Sequence, residues 1–296
     1  MRNRATTKAL PGLLLAVFSL GFQSMSPQDI LSRSVKAHGG DKLSNWKSMT
    51  IKGTIDMYDG ITFRAAYALY AQAPDKLRVE EDMTAAQGGR YFYDYFMNGE
   101  VAWSRRNLVP DRGNLEEMKR WMARCYGIAY YANKAESLTL KADAAVEWRE
   151  KKDIQSREYK AVATSPAYVV AATIGKETFD LYIDKENFHF LQEVSGRTRR
   201  VFWNFKKFGD VIMPTQLLEI TAGPRGEQIT PYTYESVKYN VLIEDWLFTE
   251  DMPKIKVGRW ALQHRVGYQE GHDAESVEVD GAERGPERLF FRVRPH

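Results

Sequence analysis

Five histidines, His38, His189, His264, His272 and His296, are scattered along the 296-residue chain. None falls in an H-E-x-x-H pattern, which would set two imidazoles and a general base on one helix face. His264 and His272 stand eight residues apart in a glycine-bearing tail, with no further spaced ligand to complete a metal set. No G-x-S-x-G turn exposes a serine nucleophile, and no P-loop offers a cradle for phosphate. Acids adjoin at Glu80-Glu81-Asp82 and at Glu116-Glu117. Neighbouring side chains in a strand or helix point apart, so these read as solvated faces rather than an acid/base pair. The single cysteine, Cys125, cannot close an internal disulfide, and its place on the apolar side of a helical pattern reads as a buried thiol. The run Arg197-Thr198-Arg199-Arg200 sits at a turn between strands. It has two readings: an ordinary surface loop, or a patch that docks Arg197, Arg199 and Arg200 on anionic lipid headgroups at a membrane surface. These residues lead us to expect a non-enzymatic protein with no cofactor and no metal.

The elements that would position these residues are mostly strands. From Phe179 to Ile220 four runs rich in β-branched and aromatic residues are separated by turn signals at 184–187, Ser195-Gly196 and Gly209-Asp210. Connections this short join antiparallel neighbours. Phe179, Leu181 and Ile183 share one face of the first run, and Val201, Trp203 and Phe205 share one face of a later one, which predicts a sheet with an apolar and a polar side. Upstream, strands are predicted over 48–58, 61–70, around Leu77 and Val79, over 91–97, and at Val101-Ala102-Trp103, with two more between 142 and 170 and a last one over 232–241. Aromatic residues on both faces of 91–97 predict burial on both sides or a lined cavity. Two helical segments interrupt the strands. Ser26-Pro27-Gln28-Asp29 opens the first, which Gly39-Gly40 ends; His38 reads as its last-turn residue rather than a ligand. The second spans Asn114 to Ala132 and carries a Leu115, Met118, Trp121, Met122, Cys125, Ala129 stripe.

Aromatic residues are plentiful and the hydrophobic fraction is 44%, enough for a sizeable core. The first 26 residues read as an export signal: Arg2, Arg4 and Lys8 precede an apolar run that begins at Leu13 and ends near Phe22. That run is short for an ordinary spanning helix of ~20 residues, which leaves a membrane tether as the alternative to a cleaved signal. Cleavage after Gly21 or after Ser26 both fit the small-residue rule. Removing the signal's three basic residues from the 42 in the chain leaves 39, equal to the 39 acidic residues, which argues against a nucleic-acid partner. Residues 254–296 differ in character; Val277–Val279, Asp280-Gly281 and Leu289–Val293 read as a terminal hairpin.

The order of these elements resembles the periplasmic lipoprotein-carrier superfamily, the LolA/LolB-like sorting carriers and their sigma-E regulatory sensor-like relatives. The resemblance rests on a helix ending in Gly-Gly, a hairpin, a strand closed by Ala73-Pro74, the run Asn98-Gly99-Glu100-Val101-Ala102-Trp103, a helix, and a meander ending Gly209-Asp210-Val211-Ile212-Met213-Pro214. Val237-Lys238-Tyr239-Asn240-Val241 followed by Leu247-Phe248 is similar to the superfamily's last strand. Residues 27–253 would form the carrier-like domain. The resemblance implies a mainly β (α+β) fold, a curved antiparallel unclosed β-barrel with helices packed across its concave face, and a cavity for a lipid acyl chain or lipoprotein anchor. It implies a periplasmic location. The expected lining is Ile51, Ile55, Phe63, Tyr67, Leu69, Trp103, Phe179, Leu181, Trp203 and Leu217, with Met118, Trp121 and Met122 from the helical lid. Composition does not separate a lined cavity from a dry core, so an interaction or sensor module with a fully packed barrel stays open as the alternative. One departure is visible: the superfamily's sorting carriers latch the lid with an arginine before the strand-breaking proline, where this chain has Ala73. Arg64 and Arg78 are the candidates to replace it. The ligand, the oligomeric state and the release partner are not fixed by the sequence.

Overall fold

A computed structural model describes residues 25–59, 61–83, 92–106, 109–152, 158–224 and 226–249. Most of the segment expected to be an export signal, the expected terminal hairpin and His264, His272 and His296 lie outside the described residues.

The chain opens with helix α1 (Pro27–Ala37), where the Ser26 hydroxyl accepts a hydrogen bond from the Asp29 amide, and a single turn α2 (Asp41–Ser44). A long meander follows: β1 (Ser48–Asp59), β2 (Ile61–Gln72), β3 (Lys76–Asp82), β4 (Phe92–Asn98), β5 (Val101–Arg106) and β6 (Val109–Arg112). Next come helices α3 (Leu115–Cys125) and α4 (Ile128–Lys134), and then strands β7 (Ser137–Leu140), β8 (Ala144–Lys151), β9 (Tyr159–Ile174), β10 (Glu177–Asp184), β11 (Phe190–Ser195), β12 (Thr198–Phe208), β13 (Val211–Gly223) and β14 (Gly226–Tyr239). A short 3-10 helix, Asp245–Phe248, ends the described chain. All fourteen strands belong to one antiparallel sheet that runs from β6 to β1, crosses to β14, and returns through β13 to β9 and β7. It does not close on itself. The fold class expected from the resemblance, a mainly β unclosed half-barrel, is the one observed.

The β1–β14 pairing joins the first and the last of these strands and needs a special residue. The register shifts between Lys52 and Gly53, and a Cβ at Gly53 would lie 1.8 Å from the Thr233 carbonyl oxygen. Only glycine lets the two backbones approach so closely, and the bulge bends the sheet there. Gly53→Ala is expected to lower stability by about 1–3 kcal/mol, the ordinary cost of overpacking; an unfolding midpoint unchanged in urea would show that the strands can part without loss.

The helical segment read as one piece from Asn114 to Ala132 is two helices. Gly127 has φ +52°, a left-handed conformation that ends α3 and lets α4 start at Ile128 in a new direction. The kink sends α3 over β3, β4 and β5, and α4 back over α1 and β9.

Three cores result. The first joins the inward residues of β1–β4 to Met118, Met122 and Cys125 of α3. The second joins Ile30 and Leu31 of α1 and Ile128 and Tyr131 of α4 to Phe179, Leu181 and Ile183 of β10, so the alternation in that strand does mark its inner face. The third lies outside the half-barrel. There Val146 and Trp148 of β8, held by the long strand β9, cover Leu191, Val201, Leu218 and Ile220. His38 ties α1 to the sheet: its Nδ1–H donates to the Ile212 carbonyl at 2.7 Å, and its Nε2 accepts from the Phe190 amide at 2.9 Å. Burial, the largest cause, lowers its pKa to about 4, so the ring stays neutral and keeps both bonds.

A second outer cluster sits on β3–β5. Asp94, fully buried, accepts from Arg78 at 3.2 Å and from Arg105 at 2.6 Å, and Arg78 also meets Glu80 at 2.7 Å. Both guanidinium groups lie over the ring of Phe96, at 5.4 and 4.8 Å. The 3-10 helix caps this cluster: Phe248 is fully buried, the Leu247 carbonyl accepts from Arg78, and Asp245 pairs with Lys76.

Candidate functional site: a cavity between sheet and helices

A cavity of about 440 Å³ opens between the concave sheet and helices α3 and α4. That falls in the size range of small-ligand sites, roughly 300–1,000 Å³. Six of the residues expected to line a hollow border it: Ile51, Tyr67, Leu69, Trp121, Phe179 and Leu217. Ile55, Phe63, Met118 and Met122 are packed into the first core and Leu181 into the second, without frontage on the cavity. Trp103 borders a separate recess with Glu100, Asp111 and Gly113, and its ring meets Phe96 edge-on. Trp203 stacks on Trp148 at 5.8 Å in the outer core. Val201, Trp203 and Phe205 do share a face, but β8 and β9 cover that face from outside, and it is Phe202 that turns toward the cavity.

Much of the lining is polar, which the sequence reading missed. Register explains it. Glu193 of β11, Arg200 of β12 and Glu219 of β13 lie directly opposite one another across three strands. Arg200 donates through Nη1 to Glu193 at 3.0 Å and through Nε to Glu219 at 2.8 Å. The Tyr131 hydroxyl also bonds Glu193, and burial, followed by that carboxylate, pushes the phenol well above its ordinary pKa. Tyr67, Tyr232 and Tyr234 pack together beside this ladder, with ring centroids 5.4 and 6.1 Å from that of Tyr67. Such cross-strand pairs are set by register, and a linear pattern does not display them.

Three charged side chains at the cavity make no side-chain hydrogen bond or ion pair among the described residues; Glu117 is exposed, and the other two are more buried. One is Glu81, only 7% exposed; burial first, then Glu219 and Glu117, raises its pKa to about 7. The other is Arg124, one helical turn beyond Arg120 on α3; burial first, then Arg200, lowers its pKa. At the mouth Arg120 meets Glu177 at 3.4 Å.

Several expectations need correction. Glu80 and Glu81 do not form a solvated face. Their side chains point apart as expected, but Glu80 is drawn to Arg78 under the C-terminal segment and Glu81 turns into the cavity. The run Arg197–Arg200 does not present three arginines to one surface: Arg200 is buried in the ladder and Arg199 pairs with Glu227 at 2.9 Å, because alternation sends them to opposite faces. Neither candidate for a replacement latch reaches α3. Arg64 pairs with Asp56 at 2.7 Å, and Arg78 is spent in the outer cluster.

Neither the histidine nor the cysteine at the cavity is placed as a base or a nucleophile. His38 borders the cavity, but both ring nitrogens are engaged with backbone groups and cannot serve as a base for Ser195 or Thr198. Cys125 donates to the Trp121 carbonyl, and burial pushes its thiol up to about 12, far from a reactive thiolate. Among the described residues no group of three or more His, Cys, Asp or Glu side chains could hold a metal, and no helix is long and apolar enough to cross a membrane.

No protein-family model matches the sequence, and no curated protein sequence does. Solved structures do. A LolA superfamily protein from Nitrosomonas europaea superposes with TM-score 0.51 at 16% identity, over 77% of this chain and 99% of that one. A DUF1329 family protein from Desulfovibrio piger matches with TM-score 0.46 at 12% identity, over 76% and 98%. A domain described as outer membrane lipoprotein-sorting, from Vibrio parahaemolyticus, matches with TM-score 0.45 at 9% identity, over 75% and 96%. The fold of this chain is LolA-like.

Proposed function

We propose that the protein is an exported carrier or sensor that holds an acyl chain, free or as part of a lipoprotein anchor, between its sheet and its helices. The observation that carries this reading is the cavity of about 440 Å³ bordered by Ile51, Leu69, Trp121, Phe179, Phe202 and Leu217. Each methylene moved from water into such surroundings contributes ~0.8 kcal/mol, so a chain of ordinary length binds without any special contact. The LolA-like fold supports the same reading. Export to the periplasm belongs to the proposal, with the segment up to Ser26 as its signal.

A second reading, a packed module acting through protein contacts, draws on the close packing of Ile55, Phe63, Met118 and Met122 against one another. The two readings part at Leu217. In a carrier, Leu217→Trp fills open space: binding of a dansyl-labelled undecanoic acid should weaken at least about tenfold, while the melting temperature holds or rises. In a packed module the same change is overpacking and costs about 1–3 kcal/mol, with no saturable probe binding to lose.

A further inference from the structure

The carrier reading leaves the chemical class of the ligand open, and Arg124 narrows it. Resting on that reading, we infer that Arg124 seats the negatively charged end of the bound amphiphile, a carboxylate or a phosphate-ester oxygen. Arg124 borders the cavity from α3, and its guanidinium makes no hydrogen bond or ion pair with any described residue. The carboxylates that act on it electrostatically, Glu193 and Glu219, already accept from Arg200 at 3.0 and 2.8 Å. They hold a positive charge in place from a distance while its donors remain unfilled. Arg120, the next arginine on the same helix, is not in this position, because Glu177 faces it at the mouth.

A guanidinium presents five N–H donors in a planar fork that fits two anionic oxygens at once, and it is the side chain that meets carboxylate and phosphate best in partly dry surroundings. An uncharged alcohol offers one oxygen and no charge, so the site discriminates by headgroup as well as by chain. Glu81 does not cancel this preference. Its carboxyl is the other buried group at the cavity without a partner, and below about pH 7 burial keeps it protonated and neutral. The charged groups within the cavity are then the ladder, in which Glu193 and Glu219 share the one guanidinium of Arg200 and leave one negative charge over, and Arg124, whose charge that excess balances while its donors stay unfilled, with Glu117 and the Arg120–Glu177 pair at the mouth. Apolar walls and one open cation in a single hollow match an acidic single- or double-chain amphiphile.

The test is displacement of a neutral apolar probe, N-phenyl-1-naphthylamine, from the full chain at about pH 6 by lauric acid, methyl laurate and 1-dodecanol. Lauric acid should displace the probe at least about tenfold more effectively than the ester or the alcohol. Arg124→Gln should lose about 30-fold for the acid, the lower end of the cost of removing one member of a buried charge pair, with little change for the ester. Arg124→Lys, which keeps the charge but not the fork, should recover part of the loss. Removing an unpartnered charge should not unfold the chain, and the thermal melt of each variant checks this. Equal displacement by acid and ester, or equal loss of both in Arg124→Gln, would overturn the assignment while leaving the carrier standing. Failure of the probe and of all three competitors to bind would take away both. Sodium phosphate alone, raising the melting temperature of the wild type but not of Arg124→Gln, would keep the anion seat and assign it to a free anion instead of a headgroup.

Discussion

Asp94→Ala is expected to destabilise the folded chain by about 3–5 kcal/mol. Asp94 is fully buried and is the carboxylate that joins Arg78 to Arg105. Its removal leaves Arg105 with a charge in the interior, beside Arg78 and the face of Phe96. Taking a guanidinium out of water is costly, and the cost is met here by charge-assisted hydrogen bonds that alanine cannot make. The effect should reach the C-terminal segment as well, since Leu247 and Phe248 pack over the same cluster. Equilibrium unfolding in urea measures it, and hydrogen exchange at 245–249 should speed up in parallel. A loss under about 1 kcal/mol would mean that water already reaches the cluster.

Glu81→Gln should act in the opposite direction and only at high pH. Folding raises this carboxyl's pKa from 4.5 to about 7. The stability that goes with its protonated form is therefore complete below about pH 4.5 and is lost as pH rises through 7. At about 1.4 kcal/mol per pH unit the loss is about 3 kcal/mol. Glutamine keeps the shape and has no proton to lose, so the variant should exceed the wild type by about that amount near pH 8 and match it near pH 4. The comparison isolates Glu81, because His38, lowered to about 4, and Glu80, raised to about 7, titrate alike in both proteins. A constant difference across the range would place the carboxyl in contact with water. A side chain that weakens the fold when ionised, and that faces an open hollow, is retained more readily for binding than for stability.

The strand framework was readable because its signals are local. Turn residues at 195–196 and 209–210 and the alternation of Phe179, Leu181 and Ile183 fix both the hairpins and the inner face of β10. The face of β12 was not readable in the same way. Val201, Trp203 and Phe205 are as apolar as an inner face should be, yet they look outward, because Trp148, more than fifty residues earlier, covers them. Alternation says which residues share a face; it does not say which face has the larger cover. The helix break was visible as Gly127 but was outweighed by the apolar stripe that runs across it.

The site was less readable than the fold, for a related reason. Apolar residues such as Ile51, Leu69 and Leu217 stand out in any strand, and so do Ile55 and Phe63, which pack instead of bordering space. Whether a side chain borders space depends on what lies across from it. The polar half of the lining is entirely a matter of register: Glu193, Arg200 and Glu219 become one ladder only when β11, β12 and β13 are aligned. In the linear sequence Arg200 belongs to a basic run and Glu81 to an acidic one, and both runs look like surface.

The central claim, that the hollow takes a hydrocarbon chain, is tested most directly by native mass spectrometry of the full chain as purified from the cells that produce it. The spectrum should show a species heavier than the chain by the mass of one amphiphile, and denaturation in organic solvent should release that amphiphile. A single species at the mass of the bare chain, unchanged after incubation with a saturating fatty acid, would contradict the account.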